Sequence, residues 1–277
     1  MISILIILLA LLFGGFWVAF SLTGAGVYGL FVSMGSSKAL NLASVLTWNY
    51  ANSVILTAIP LFIFMGEIIL RTGMGNRLYN GVSPWLRSAP GGLLHTNIAA
   101  CALFSAITGS SVACAATIGS VAYPELEKRG YDKKLVTGSL AAGGTLGILI
   151  PPSLAFIIYG AMIEESIGQL FMAGLIPGII LALLFSATIV VLALMNPTAV
   201  PKEHGATWKE RLLSIKDVWQ VLFIMVAVLG GIYMGVMTPT EAAAIGAILA
   251  LLMAAVSRTL TWKALKDSLM STVHTTS

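Results

Sequence analysis

Ala106-Ile107-Thr108-Gly109-Ser110-Ser111-Val112-Ala113 and Gly143-Gly144-Thr145-Leu146-Gly147-Ile148-Leu149-Ile150-Pro151-Pro152-Ser153 decide how this chain is read. Each is a polar, Gly- or Pro-broken interruption within the otherwise apolar stretch from Leu93 to Tyr159. In a bilayer, backbone released from helical hydrogen bonds must be buried in protein or line a wet cavity. Two such breaks close together in sequence read as the halves of one binding site for ions and solute.

The rest of the composition supplies the solvent that this argument needs. Of 277 residues, 58% are hydrophobic and 9% charged, against about 25% charged in a soluble domain. Apolar runs of about 20 residues, enough to cross a hydrocarbon core, recur along the chain. The expected fold is an all-α integral membrane protein, a multi-span helical bundle in a lipid bilayer. The formal charge of +4 comes from bases in short loops between apolar segments, so no nucleic-acid partner is expected. Cys101 and Cys114 lie in apolar sequence and suggest no disulfide framework. Met1 to Phe20 lacks the basic start and cleavage site of a signal peptide and reads as membrane-embedded.

Charge placement draws the topology. The fifteen Lys and Arg fall into four groups plus Lys38. These are Arg71, Arg77 and Arg87; Lys128, Arg129, Lys133 and Lys134; Lys202, Lys209, Arg211 and Lys216; and Arg258, Lys263 and Lys266. Excess basic charge marks cytoplasmic loops, so all four groups are expected inside, the first of them as a loop. The base-free connectors Met162 to Gln169 and Gly235 to Thr240 are expected outside. Spans are expected over Asn52–Leu70, 135–161 (a broken helix), Leu170–Met195, Val218–Gly235 and Ala242–Ser257, with a further segment from Ser268. The first 34 residues, broken around Gly14-Gly15, make either one long span or two short segments. Ser36–Ala51 reads as an interfacial helix.

The interval Leu93–Tyr123 is apolar, yet both its flanks are basic. Arms of 15 and 12 residues (93–107 and 112–123) reach roughly 22 and 18 Å, short of a crossing. They fit a re-entrant helical hairpin turning at Thr108-Gly109-Ser110-Ser111; the rival is one tilted span. Leu46-Thr47-Trp48 and Leu260-Thr261-Trp262 precede oppositely directed segments, the mark of an inverted repeat. The first repeat is expected over 1–217 and the start of a second over 218–277.

Carbonyls closing the first arm can ligate a hard cation such as Na⁺, and amides opening the second favour an anion. The alternative is close packing by small residues. Pro151 and Pro152 remove two amide donors and free carbonyls one turn earlier, near Gly147. The expected ion and substrate residues are therefore Thr108, Gly109, Ser110, Ser111, Thr145, Gly147, Pro151, Pro152 and Ser153. Glu67, inside a predicted span, is either a coupling carboxylate or the partner of Arg71 four residues on. Thr238-Pro239-Thr240-Glu241 matches a helix capping box. His95, His204 and His274 lack metal-ligand spacing. Neither a phosphate-cradling loop nor a hydrolase elbow is present, so no enzyme activity and no cofactor beyond Na⁺ as coupling ion is expected.

The runs Ala58-Ile-Pro-Leu-Phe-Ile-Phe-Met-Gly-Glu67, Phe104-Ser-Ala-Ile-Thr-Gly-Ser-Ser-Val-Ala113, Ile118-Gly-Ser120, Ile150-Pro-Pro-Ser153 and Thr238-Pro-Thr-Glu-Ala-Ala-Ala244 resemble the large membrane subunit of a TRAP (tripartite ATP-independent periplasmic) transporter, DctM-like. The resemblance extends in order across essentially the whole chain. It implies Na⁺-coupled uptake of a carboxylate solute, such as a C4-dicarboxylate, sialic acid or another sugar acid. It also implies an elevator-type architecture, a small four-helix membrane subunit, a periplasmic solute-binding protein, and the inner membrane of a bacterium or archaeon. Other readings are a channel, a scaffold without transport, or a Na⁺/carboxylate symporter working without a binding protein. Family members carry a second inverted half, so this chain is expected to be a first half plus the start of a second, unable to transport alone.

Overall fold

The computed structural model describes residues 2–201, 203 and 205–276; Lys202 of the third basic group and His204 lie outside the described residues. Among the described residues the chain is helical with no strand, and it divides into two compact units, Met1–Ser53 and Val54–Ser277.

The first unit holds α1 (Ile2–Phe13), α2 (Val18–Met34) and α3 (Ser36–Ala51). The opening stretch is thus two segments, not one long span. The chain turns at Gly14-Gly15, where Gly15 takes φ +79°, and α2 continues unbroken through Gly24, Gly26 and Gly29. Gly29 lets the two helices approach, since a Cβ there would lie 2.9 Å from Cδ1 of Ile4, and a Cβ on Gly24 would lie 3.5 Å from Cδ1 of Leu11. Helix α3 has the bounds read for the interfacial segment.

The second unit follows a 3-10 turn at Ile55–Thr57 with α4 (Ala58–Arg71), α5 (Met74–Leu86), α6 (Leu93–Thr108), α7 (Ser111–Lys128), α8 (Lys133–Leu149), α9 (Leu154–Ile163), α10 (Ile167–Met195), α11 (Trp208–Tyr233), α12 (Pro239–Val256) and α13 (Trp262–Thr276). Among the described residues, four stretches are by themselves long and apolar enough to cross a membrane: the broken pair Lys133–Ile163, and α10, α11 and α12. The packing pairs are α6 with α8, α4 with α12, α5 with α11 and α7 with α8. Small residues permit the closest of them. Ala242, Ala243, Ala247, Ala250 and Ala254 are buried along α12, and Gly246 accommodates the Met65 thioether of α4, whose sulfur would lie 2.6 Å from an added Cβ.

Three expectations are corrected. The interval between Arg71 and Arg87, read as a loop, contains α5. Met74, Leu78, Tyr79 and Val82 form a buried stripe at helical spacing, and Gly81 admits Val218 and Ser214 of α11. Helix α11 begins at Trp208, not Val218, because Thr207 and Glu210 form a capping box. Helix α13 begins at Trp262, not Ser268, with the Ala264 amide donating to Thr261 Oγ1 at 3.1 Å.

Candidate functional site

The site is assembled from a helical hairpin and a broken helix. Helix α6 ends where Gly109 takes a left-handed conformation (φ +60°), and its amide donates to the Ser105 carbonyl at 2.9 Å. This is the geometry in which a missing Cβ carries no steric penalty. Ser110 is extended and becomes the N-cap of α7, its Oγ accepting from the Ala113 amide at 3.3 Å.

The two arms run back along one another. Cys114 Sγ of α7 donates to the Cys101 carbonyl of α6 at 3.4 Å. At the far end the Leu93 amide donates to Tyr131 Oη at 3.0 Å, so the start of α6 and the end of α7 lie together. A single tilted helix over Leu93–Tyr123 is excluded by this pairing. The second arm runs on to Lys128, beyond the expected Tyr123, through Pro124 and into a charged last turn where Arg129 bonds Glu125 at 2.7 Å. Arg129 also reaches Glu203 at 2.9 Å, and Tyr131 Oη lies 3.4 Å from the same carboxylate. Burial, and after it the nearby Glu203 charge, pushes the Tyr131 phenol up to about 12.

The broken helix starts on Asp132, whose carboxylate caps the Lys134 and Leu135 amides at 2.9 and 3.1 Å. It stops at Leu149, and α9 resumes at Leu154. Pro151 and Pro152, joined by a cis bond, have no N–H, so the carbonyls of Gly147 and Ile148 lack their helical donors.

Tip and break are in direct backbone contact. A Cβ on Gly147 would lie 2.8 Å from the Ser111 nitrogen and 2.9 Å from the Ser110 carbonyl carbon. A Cβ on Gly109 would lie 2.6 Å from the Pro152 carbonyl oxygen and 3.3 Å from the Leu154 nitrogen. Gly144, which sequence reasoning did not single out, faces the Ser111 carbonyl, and Gly66 of α4 faces Thr108. The structure thus gathers Gly109, Ser110, Ser111, Gly147, Pro152 and Ser153.

The hydroxyls divide. Thr108 Oγ1 donates to the Phe104 carbonyl at 3.1 Å and Thr145 Oγ1 to the Ala142 carbonyl at 2.7 Å. Ser111 Oγ and Ser153 Oγ are buried and have no hydrogen-bond partner among the described residues. Thr145 stands apart: it shares the exposed face of α8 with Ala141 and Ile148, while Gly143, Gly144 and Gly147 face the hairpin. A residue two positions from Gly147 is turned by roughly 200° about the helix axis, which accounts for the separation.

Beside the tip a cavity of about 400 Å³ is lined by Thr108, Ser110, Thr117, Ser120, Thr275 and Glu67, among others. Glu67 Oε2 accepts from Arg71 Nε at 2.9 Å, with the carboxylate mostly buried and the guanidinium one-third exposed. Glu67 is thus the ion-pair partner of Arg71, and its side chain also borders the cavity. The capping box at Thr238 is present, Glu241 Oε2 accepting from the Thr238 amide at 2.8 Å. Its counterpart at Thr207 was missed, although the Thr-x-x-Glu signal was there to read.

Antiparallel half-helices meeting a proline-broken helix, within a bundle of long apolar helices, define a multi-span helical membrane protein with an interrupted-helix site. A family model described as "Tripartite ATP-independent periplasmic transporter, DctM component" matches residues 5–277, and the chain belongs to that family. It is 34% identical over 246 residues to the C4-dicarboxylate TRAP transporter large permease protein DctM of Vibrio cholerae, covering 88% of this chain and 53% of that protein. It is 38% identical over 198 residues to the ectoine/5-hydroxyectoine TRAP transporter large permease protein UehC of Ruegeria pomeroyi, covering 72% and 46%. With the sialic acid TRAP transporter large permease protein SiaM of Vibrio cholerae it shares 33% identity over 270 residues, 97% of this chain and 62% of that one. The chain spans about half the length of the curated relatives it matches.

Proposed function

We propose that this chain forms part of the large permease of a secondary TRAP transporter in a bacterial or archaeal inner membrane. In this reading it works with a small four-helix membrane subunit and takes a carboxylate solute, such as a C4-dicarboxylate or sialic acid, from a periplasmic binding protein. Uptake is driven by Na⁺ bound where the hairpin tip meets the helix break. The hairpin enters from the cytoplasmic side, residues 1–217 are one repeat, and 218–277 open an inverted second. Support for the class comes from the relatives, whose names cover C4-dicarboxylates, sialic acid and ectoine.

One observation carries the Na⁺ reading. Two buried hydroxyls without partners, Ser111 Oγ and Ser153 Oγ, flank a contact in which the Gly147 and Ile148 carbonyls have lost their donors. A buried polar group without a partner costs roughly 1–3 kcal/mol, and a cation ligated by several oxygens satisfies such groups together. Converging carbonyl and hydroxyl dipoles replace the hydration shell without needing a carboxylate. The amides opening α7 supply the complementary attraction for a solute carboxylate.

The test is carboxylate uptake in vesicles holding a three-part system in which this sequence forms the first part of a full-length large permease. Ser111→Ala and Ser153→Ala are expected to raise the half-saturating Na⁺ concentration by roughly 5- to 150-fold, the loss of one ligating group. Uptake indifferent to Na⁺, or both variants at the wild-type value, would leave tight packing as the purpose of these residues.

A further inference from the structure

We propose that the groove between α6, α8 and α10 is a site for one anionic phospholipid of the inner leaflet. Its apolar part is a cavity of about 240 Å³ bounded by Ile98, Gly138, Phe185 and Ile189. A second cavity, of about 370 Å³, opens at the helix ends beside Asp132, Asn196 and Ala199. Lys134, Leu135 and Leu192 line both. An apolar slot therefore leads into a polar mouth, with an ammonium group where they join. That order matches an acyl chain continuing into a phosphate.

Two details favour this occupant. Gly138 keeps the slot open, since a Cβ there would meet nothing within 4 Å. The charge of Lys134 is uncommitted: Lys133 pairs with Glu127 at 2.7 Å, whereas Lys134 has no ion-pair partner among the described residues. The Asp132 carboxylate beside it is engaged by the amides that open α8, so it caps the helix. The mouth lies within the basic group Lys128–Lys134, the side expected to face the anionic leaflet. Basic pockets between membrane helices on that side are suited to phospholipid headgroups. This inference concerns a different face of α8 from the ion site and does not rest on transport.

The experiment uses the delipidated 277-residue chain in neutral detergent, with dioleoyl phosphatidylglycerol or dioleoyl phosphatidylcholine added, read by native mass spectrometry. One retained lipid is expected, with the glycerol headgroup preferred about 5-fold, the equivalent of about 1 kcal/mol for one basic residue near a charged surface. Lys134→Gln should abolish the preference while leaving retention. Lys128→Gln, which lines neither cavity, should change nothing. Gly138→Leu places a good helix former at an open position and should cut retention of both lipids. Equal effects of Lys134→Gln and Lys128→Gln would overturn the headgroup assignment as general surface charge. Undiminished retention in Gly138→Leu, or a dimer in place of a lipid adduct, would overturn the slot itself.

Discussion

The contact between Gly147 and the hairpin tip can be perturbed by a single methyl group. A Cβ there would lie 2.8 Å from the Ser111 nitrogen, 2.9 Å from the Ser110 carbonyl carbon and 3.1 Å from the Ser111 Cα. All three are backbone atoms, so no side chain can swing aside. Relieving the contact to an ordinary 3.4 Å or more requires the tip and α8 to part by about half an ångström, an overpacking strain of roughly 1–3 kcal/mol. The gain in helix propensity from Gly to Ala, about 1 kcal/mol at most, offsets only part of it. Gly138, on the same helix, is the internal control: its Cβ meets open space, so Gly138→Ala keeps the propensity gain without the strain. Thermal unfolding in detergent is expected to rank Gly138→Ala at or above wild type and Gly147→Ala below it. The stabilisation given by Na⁺ should also shrink in Gly147→Ala alone. If the two variants unfold at the same temperature and respond equally to Na⁺, the tip does not rest on α8 as described.

Tyr131→Phe leaves the Leu93 amide without its acceptor and is expected to cost roughly 1–3 kcal/mol, loosening the base of the hairpin; protease sensitivity near Gly92 would register it. Because the Tyr131 pKa is raised from 10.0 to about 12 in the fold, its contribution is fully present below pH 10 and is lost as the pH rises through 12; the stability advantage of wild type over Tyr131→Phe should therefore shrink across that range, and an advantage that holds constant or grows there would contradict that sign. Single cysteines at Ser88 and Lys128, both exposed, in a background lacking Cys101 and Cys114, should label from the cytoplasmic face only. Labelling from opposite faces would refute a hairpin entering from one side.

The sequence was most legible where residue chemistry forbids a regular helix. Gly109, Ser110 and the Pro151-Pro152 pair each remove a Cβ, a helical φ or an N–H, and the helices stop there. It was misleading where charge stood in for structure. Arg71, Arg77 and Arg87 looked like a loop, yet α5 is held by burial of Leu78 and Tyr79 against the core and by the close approach of α11 at Gly81. Tertiary packing overrode weak local propensity there. In the site, proximity in sequence did not mean proximity in space. Thr145 sits two residues from Gly147 but faces away from the tip, whereas Ser153, beyond the break, is fully buried. Only the folded arrangement separates hydroxyls committed to helix carbonyls from those without partners among the described residues.

The central claim is that the meeting of hairpin tip and helix break binds Na⁺, and direct binding tests it with no partner protein required. The purified chain in detergent, titrated with NaCl against choline chloride at constant ionic strength and followed by calorimetry, should show saturable Na⁺ binding. That binding should weaken by roughly 5- to 150-fold in Ser153→Ala and stay unchanged in Thr188→Ala, a hydroxyl on α10 bonded to the Leu184 carbonyl at 2.9 Å. Saturable binding that is indifferent to Ser153→Ala, or no difference between Na⁺ and choline, would contradict the account.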